Sequence, residues 1–253
     1  MTMTTTSEAL GQKLTAKGLA TRERIVRAAA ELIYEHGAQN TNNEQIREAA
    51  GVSGSQLTRH FPTKESLVRA VLAWQADSIV ARHQAPELGE LDSFAALRRW
   101  ADSYIASQDM VHGGCTFGSL AAEVVKTEPS HRDAVADGFE RWRELFKYGL
   151  SAMRERGELR PEADPAALAH LLTAAFQGGA LLDQAAGDST PLRDALNGAL
   201  AYIESFAVES RTGQHRTSVT GELPTAVGGC LLGVSQTTAD TRRGTAANGV
   251  PSA

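Results

Sequence analysis

The sequence predicts an all-α fold in which a small N-terminal helix-turn-helix domain precedes a larger helical domain. Three observations carry this prediction. Apolar residues recur at helical spacing nearly everywhere up to about residue 208, no segment sustains the alternation of a strand, and capping residues stand where the periodic runs break. With 253 residues, 42% hydrophobic and 22% charged, the chain is long enough for one large or two smaller cores and ordinary in composition for a globular protein.

The first helix is expected after Thr21 as N-cap, with Ile25, Ala29, Leu32 and Ile33 inward and Gly37 as its stop. Thr41 with Glu44 reads as a capping box for a short second helix whose inward face is Ile46, Ala49 and Ala50. Gly51-Val52-Ser53 forms a tight break, and Ser53 with Gln56 caps a third short helix through about Phe61. Pro62-Thr63-Lys64-Glu65 ends that helix and caps a longer fourth, striped by Leu67, Val68, Val71, Leu72 and Ile79. Beyond Pro86 and Gly89, Asp92 caps a fifth helix with Phe94, Leu97, Ala101, Tyr104 and Ile105 inward. Gly113-Gly114 interrupts, a sixth helix runs from about 115 to 126, and a long seventh from 130 to about 156 carries Val135, Phe139, Trp142, Leu145, Phe146, Leu150 and Met153. Asp164-Pro165 and Thr190-Pro191 each set a capping side chain before a proline at the first helical position, so two further helices begin there.

The remaining 43 residues, from Arg211, are rich in Thr, Gly and Ala and hold no Phe, Tyr or Trp. Such a tail is expected to be disordered, because it buries too little apolar surface to offset about 1–2 kcal/mol of backbone entropy per ordered residue. Cys115 and Cys230 stand far apart without CxxC or Cys/His spacing, so neither a disulfide framework nor a metal site is expected, and no cofactor motif is evident. The first 20 residues lack the apolar stretch of a signal peptide. Segment 166–182 is broken by His170, Thr173 and Gln177 and falls short of the roughly 20 apolar residues of a membrane span. These readings predict a cytoplasmic protein with no membrane partner and a buried helix at 166–182.

The net charge of −5 hides an asymmetry. Residues 17–69 hold eight Lys/Arg against six Asp/Glu, and the rest of the chain 17 against 24. A mildly basic module on an acidic body suits contact with a polyanion at one end. Within that module, IREAAGVSGSQLTRHF at 46–61 has the length and apolar skeleton of a helix-turn-helix. Ala49 and Ala50 are small where two helices cross, Val52 plugs the angle between them, and Leu57 with Phe61 anchors the third helix inward. Ser55, Gln56, Thr58, Arg59 and His60 are thereby expected to point outward. Gln56 and Arg59 are the base-reading candidates, since Gln pairs bidentately with adenine and Arg with guanine.

From Thr21 to Val71 the chain resembles the DNA-binding domain of TetR-family regulators. The resemblance rests on Gly37, Ile46, Ala49-Ala50-Gly51-Val52-Ser53, Leu57, Arg59-His60-Phe61-Pro62, Lys64-Glu65 and Leu67 at fixed offsets. It implies double-stranded operator DNA as partner and phosphate-contacting places for Thr58, His60 and Lys64, with Asn42 beside them. Lys64 also lies at a helix N-terminus, which itself attracts phosphate. The chain departs from the family where Thr58 replaces an aromatic residue, Gly54 a frequent lysine and Arg47 a small residue. Arg47 could restore a phosphate contact from the second helix or simply pair with Glu44 or Glu48, and pairing is the favoured reading.

The resemblance further implies a ligand pocket in the C-terminal helices and a homodimer formed by the last two. The expected organisation is a flexible arm at 1–20, the helix-turn-helix domain at 21–66, the ligand-binding and dimerisation domain at 67–209 and the disordered tail at 210–253. The apolar helix at 167–182 with Gly178-Gly179 and the stripe Leu192, Leu196, Leu200, Ile203 and Phe206 are expected to build the subunit interface. Trp74, Trp100, Tyr104, Phe117, Trp142, Phe146 and Phe176 are the candidates to line an aromatic pocket, and with little inward charge the expected effector is small and hydrophobic. The stretch 114–123 resembles a subgroup that senses lincosamide-type antibiotics or flavonoids. Two rival readings differ in class. One is an enzyme with a thiol at Cys115 activated by His112, for which no third orienting group is evident. The other is a DNA-binding protein without an effector.

Overall fold

The chain, known from a computed structural model, is described over residues 15–85, 88 and 90–208. Among these residues the only β pairing is an isolated antiparallel bridge between Leu159 and Ala207, and everything else regular is helical. Residues 1–14 of the expected arm and the whole of the expected tail at 210–253 lie outside the described residues.

Helix α1 (Ala16–His36) begins before its expected start. Thr15 is the N-cap, its hydroxyl accepting from the Gly18 N–H at 3.2 Å, while Thr21 is buried within the helix and donates to the Lys17 carbonyl at 2.9 Å. The last residues of the presumed arm are therefore helical, because Thr15 caps as well as Thr21 and the intervening residues favour helix. Helix α2 (Asn43–Ala50) is capped by Asn42 rather than Thr41. Asn42 Oδ1 accepts from the Glu44 and Gln45 N–H groups at 3.0 Å each, and Gln45 Oε1 accepts from the Asn42 N–H at 2.8 Å. Thr41 instead donates to the Gly37 carbonyl at 2.8 Å, sealing the end of α1.

Gly51, at φ 60°, makes the left-handed turn into α3 (Gly54–His60), whose Ser53/Gln56 capping box is the expected one. Helix α4 (Lys64–His83) starts at Thr63, again with a reciprocal box, to Ser66. Helix α5 (Phe94–Ile105) is capped by Ser93, since Asp92 is taken by Arg156 at 2.9 Å. A short α6 (Gln108–Gly113) was not foreseen, and α7 (Thr116–Thr127) has Cys115 as its N-cap. A 3-10 turn (Pro129–His131) leads into α8 (Arg132–Glu155). Helix α9 (Pro165–Ala186) starts at Asp164 as expected. Helix α10 (Thr190–Glu204) begins one residue early, with no side-chain cap, and the buried Asp183 of α9 accepts from the Leu192 N–H at 2.7 Å.

Two buried clusters hold the chain. One joins α1 to α4, through Ile25, Ile46, Leu57, Leu67 and Val71, with the inward face of α7, through Phe117, Leu120, Ala121 and Val124. The other joins α5, α8, α9 and α10 around Trp100, Trp142, Phe146 and Phe176. Ile79, Cys115 and Phe139 touch both clusters and mark the seam. Although α7 follows α5 in the chain, it is packed into the DNA-binding head.

The stripe expected at the subunit interface is corrected by this packing. Leu192, Leu196, Leu200 and Ile203 are buried in the chain's own core, and a Cβ on Gly179 would lie 2.7 Å from Leu192 Cα, so that glycine permits the approach of α10 to α9 within one protomer. The sequence carries more apolar surface there than an ordinary amphipathic helix because α9 is covered by both α8 and α10. By length and composition α9 is long and apolar enough to cross a membrane, contrary to the reading of 166–182, yet its face carrying Leu168, Leu172, Phe176 and Ala180 is buried in the second cluster.

Candidate nucleic-acid interface and ligand cavity

Helices α2 and α3 are set against α1 by two arginines. Arg24 donates to the Ala50 carbonyl at 3.1 Å, and Arg22 donates to the His60 carbonyl at 3.1 Å while its guanidinium lies 4.3 Å from the centre of the Phe61 ring. With Leu57 and Phe61 buried beneath, Ser55, Thr58 and Arg59 are exposed on the outer side of α3. His60 is not. It lies three residues from Leu57, which turns it toward the same inner face, and it is 8% exposed with its Nε2 buried and unpartnered. Burial, with Arg59 and Arg22 nearby, holds its pKa below the ordinary histidine value, so the ring is neutral and its expected outward position is corrected.

Gln56 is half-buried, and its Oε1 accepts from the Ser53 N–H at 2.8 Å. A bidentate grip on adenine needs that oxygen, so Gln56 must break its capping box before it can read a base. Arg59 is exposed on the outer side of α3. Lys64, the first residue of α4, donates to the Gln39 carbonyl at 3.3 Å and stands exposed beside the start of α2, where Asn42 serves as cap. Arg47 is held by Glu44 and Glu48, as its spacing predicted.

Behind the head, at the seam between the clusters, lies a cavity of about 580 Å³. Of the seven aromatic candidates, Trp74, Tyr104, Trp142 and Phe176 line it. Trp100, Phe117 and Phe146 do not, and each is 0% exposed. Phe117 packs edge-on to Phe139 at 4.9 Å in the head cluster, and Trp100 packs on Phe146 at 4.7 Å in the body. Their expected place on the wall is thus corrected: Phe117 is spent on the head cluster, and Trp100 with Phe146 on the body cluster.

The wall also holds residues that the aromatic pattern missed. Gln75, Ile79 and Arg82 of α4 line it at helical spacing from one another, which was the available signal. Arg82 lies over the Tyr104 ring at 4.9 Å, and Gln75 is 5% exposed with its Oε1 buried and without a hydrogen-bond partner. Polar character is therefore greater than expected. Burial pushes the Tyr104 phenol up to about 12, which keeps it protonated. Ala30, Glu31 and Tyr34 of α1 close the cavity on the head side.

One histidine organises the rings. Trp100 and Trp142 both donate their indole N–H to His83 Nε2, at 2.8 and 3.1 Å. An indole can only donate, so Nε2 carries no proton and Nδ1 donates to the Ile79 carbonyl at 2.8 Å. Burial holds the His83 pKa down to about 4, keeping the ring neutral. No spacing or motif in the sequence marks this node.

Cys115 faces the seam, its Sγ accepting from the Gly118 N–H and from Gln177 Nε2, each at 3.4 Å. Burial pushes its thiol up, the opposite of what a nucleophile requires. Among the described residues no group of three His, Cys, Asp or Glu side chains is placed to hold a metal ion.

A helix-turn-helix head joined to a helical body with a cavity at the seam defines a ligand-regulated DNA-binding class. Residues 25–71 match the family of bacterial regulatory proteins, tetR family, and residues 93–199 match the tetracyclin repressor-like C-terminal domain. The chain is 29% identical over 167 residues to the HTH-type transcriptional repressor ComR of Escherichia coli (strain K12), covering 62% of this chain and 76% of that protein. It is 26% identical over 161 residues to the HTH-type transcriptional repressor DhaR of Mycobacterium sp. (strain GP1), covering 63% of this chain and 80% of that one. A TetR transcriptional regulator of Chloroflexus aurantiacus J-10-FL, known from a crystal structure, superposes with a TM-score of 0.65 at 29% identity, over 76% of this chain and 98% of the other. The chain belongs to the TetR family of DNA-binding transcriptional regulators.

Proposed function

We propose that the protein is a cytoplasmic repressor that holds a near-palindromic operator as a homodimer and lets go when a small, largely apolar molecule fills the cavity. The observation that carries this reading is the position of the cavity, walled by α1, α4 and the start of α7 on the head side and by α5, α6, α8 and α9 on the other. An occupant there contacts both parts at once, so its affinity depends on how they are set.

On the DNA side, Arg59 is the principal base reader, with Ser55 and Thr58 beside it. Lys64 and the amide of Asn42 serve the phosphates, which fix register rather than sequence. Gln56 reads a base only after release from Ser53. His60 supports α3 from beneath. Two α3 helices related by a two-fold axis address half-sites one helical turn, or a multiple, apart.

On the effector side, Trp74, Tyr104, Trp142 and Phe176 favour a planar apolar body. A hydrogen-bond donor on it would satisfy Gln75 Oε1, and an acceptor would meet Arg82 at the mouth. The dimer uses the outer side of the last two helices, where Leu181, Leu182 and Tyr202 are 66%, 56% and 54% exposed. Large apolar side chains left in water on one side of a body favour a subunit contact.

Selection of operator duplexes from random DNA, followed by titration of planar aromatic compounds, tests both halves. A palindromic site released by a compound that occupies the cavity is expected. A palindromic site that no such compound disturbs would favour the effector-independent reading, and failure to select any duplex would overturn the DNA half.

A further inference from the structure

Helix α7 has one end in the cavity and the other on the head. Cys115 and Thr116, at its start, line the cavity. Two turns later the carboxylate of Glu123 accepts from the Ala38 and Gln39 N–H groups, both at 2.9 Å, in the connection between α1 and α2. Each oxygen serves one amide. Gly37, just before them, has φ 80°, and a Cβ there would lie 3.4 Å from Glu123 Oε2, so backbone conformation and close approach both reserve glycine where the carboxylate docks. Between these two ends the buried side chains of α7 belong to the head cluster.

We propose that Glu123 is the positioning residue through which an occupant of the cavity reorients the DNA-binding head. This rests on the regulatory reading above and supplies its linkage. An occupant lodged between Ala30 and Tyr34 of α1 and the start of α7 presses the two helices apart at the cavity. Because Glu123 fastens the chain just beyond the C-terminal end of α1, about one turn past Tyr34, to α7, the separation cannot be taken up by simple withdrawal and becomes a rotation of α1 about that point, with the α2 and α3 packed on it. Without the fastening, α1 yields and the operator-binding surface keeps its setting. Energetic coupling of this kind needs an element with two arrangements that both sites bias, and the clamped and tilted head are those arrangements.

The test needs no natural effector. Ser107 lines the cavity, and although it is the N-cap of α6 it makes no cap hydrogen bond there, so Ser107→Trp puts an indole into the cavity at little local cost. Operator affinity is measured for the wild type, Ser107→Trp, Glu123→Ala and the double variant, using a duplex selected by the wild type. Ser107→Trp is expected to weaken the operator complex about fivefold or more in the wild-type background and less than about twofold in the Glu123→Ala background. Glu123→Gln, which keeps one acceptor oxygen, is expected to fall between. Hydrogen exchange at the amides of Ala38 and Gln39 should quicken in Glu123→Ala. Should Ser107→Trp fail to fold, Ser78→Trp on the opposite wall takes its place. Equal weakening in both backgrounds, or no weakening in either, would overturn the inference while leaving operator binding intact. A wild-type protein that selects no duplex would bring down the regulatory reading, and this linkage with it.

Discussion

In the head, every helix start is closed by a partner three residues away: Thr15 with Gly18, Asn42 with Gln45, Ser53 with Gln56, Thr63 with Ser66. Behind it, two indoles converge on His83 from 17 and 59 residues away, and Glu123 of α7 grips the α1–α2 connection from 85 residues further along the chain. The difference separates two tasks. Local devices set a rigid reading surface that leaves Ser55, Thr58 and Arg59 exposed, whereas long-range contacts fix how that surface is carried by the body, and those are the contacts a ligand can disturb.

The contrast can be broken most forcefully at the tryptophans. Trp100 is wholly enclosed, so Trp100→Ala should cost about 3–5 kcal/mol of stability. Trp74 is half-buried on the cavity wall, and Trp74→Ala should cost under about 1 kcal/mol while weakening effector binding. Denaturant unfolding of both variants checks the pair, and equal losses would erase the distinction between wall and core. The His83 node gives the next largest effect. Its folded pKa of about 4 lies below the ordinary 6.5, so between those values the unfolded chain binds the extra proton. Stability is complete above about pH 6.5 and should fall by about 3 kcal/mol as the pH drops toward 4. Melting temperature against pH should show this slope in the wild type and a flatter one in His83→Gln, whose carboxamide still accepts an indole N–H.

The head provides the smaller effects. Arg59→Ala should relax sequence preference by about 1–3 kcal/mol at one position of each half-site, read by competition between the operator and single-base variants. Gln56→Ala should lower stability by about 1 kcal/mol through the lost cap and alter preference less. Smallest is Lys64→Ala, expected to weaken binding evenly across sequences and to flatten the salt dependence by about one phosphate's contribution per protomer. A loss of sequence preference in Lys64→Ala with none in Arg59→Ala would reverse the two roles.

The order of helices, the turn at Gly51 and the Ser53/Gln56 cap were legible because each depends on residues within one turn of one another. Errors there were shifts by a residue or a few, as where Asn42 outcompetes Thr41 for α2 and Thr15 precedes Thr21 for α1. His60 shows the limit of helical periodicity, since a residue at the edge of the inward arc of a seven-residue helix is turned under by its neighbours. For the body, aromatic identity announced burial but not whether a ring meets a cavity or another ring. Trp74 and Trp100 look alike in sequence, and only the convergence of α4, α5 and α8 on His83 tells them apart. Glu123, one carboxylate among 30 acidic residues, carried no local mark at all.

The most direct test of the account is the mass of the protein in complex with its selected operator at low ionic strength, with and without a cavity-filling compound. The account predicts protomers bound in pairs on each palindromic duplex and free dimers once the cavity is occupied. A monomer that ignores every duplex at low salt would contradict it.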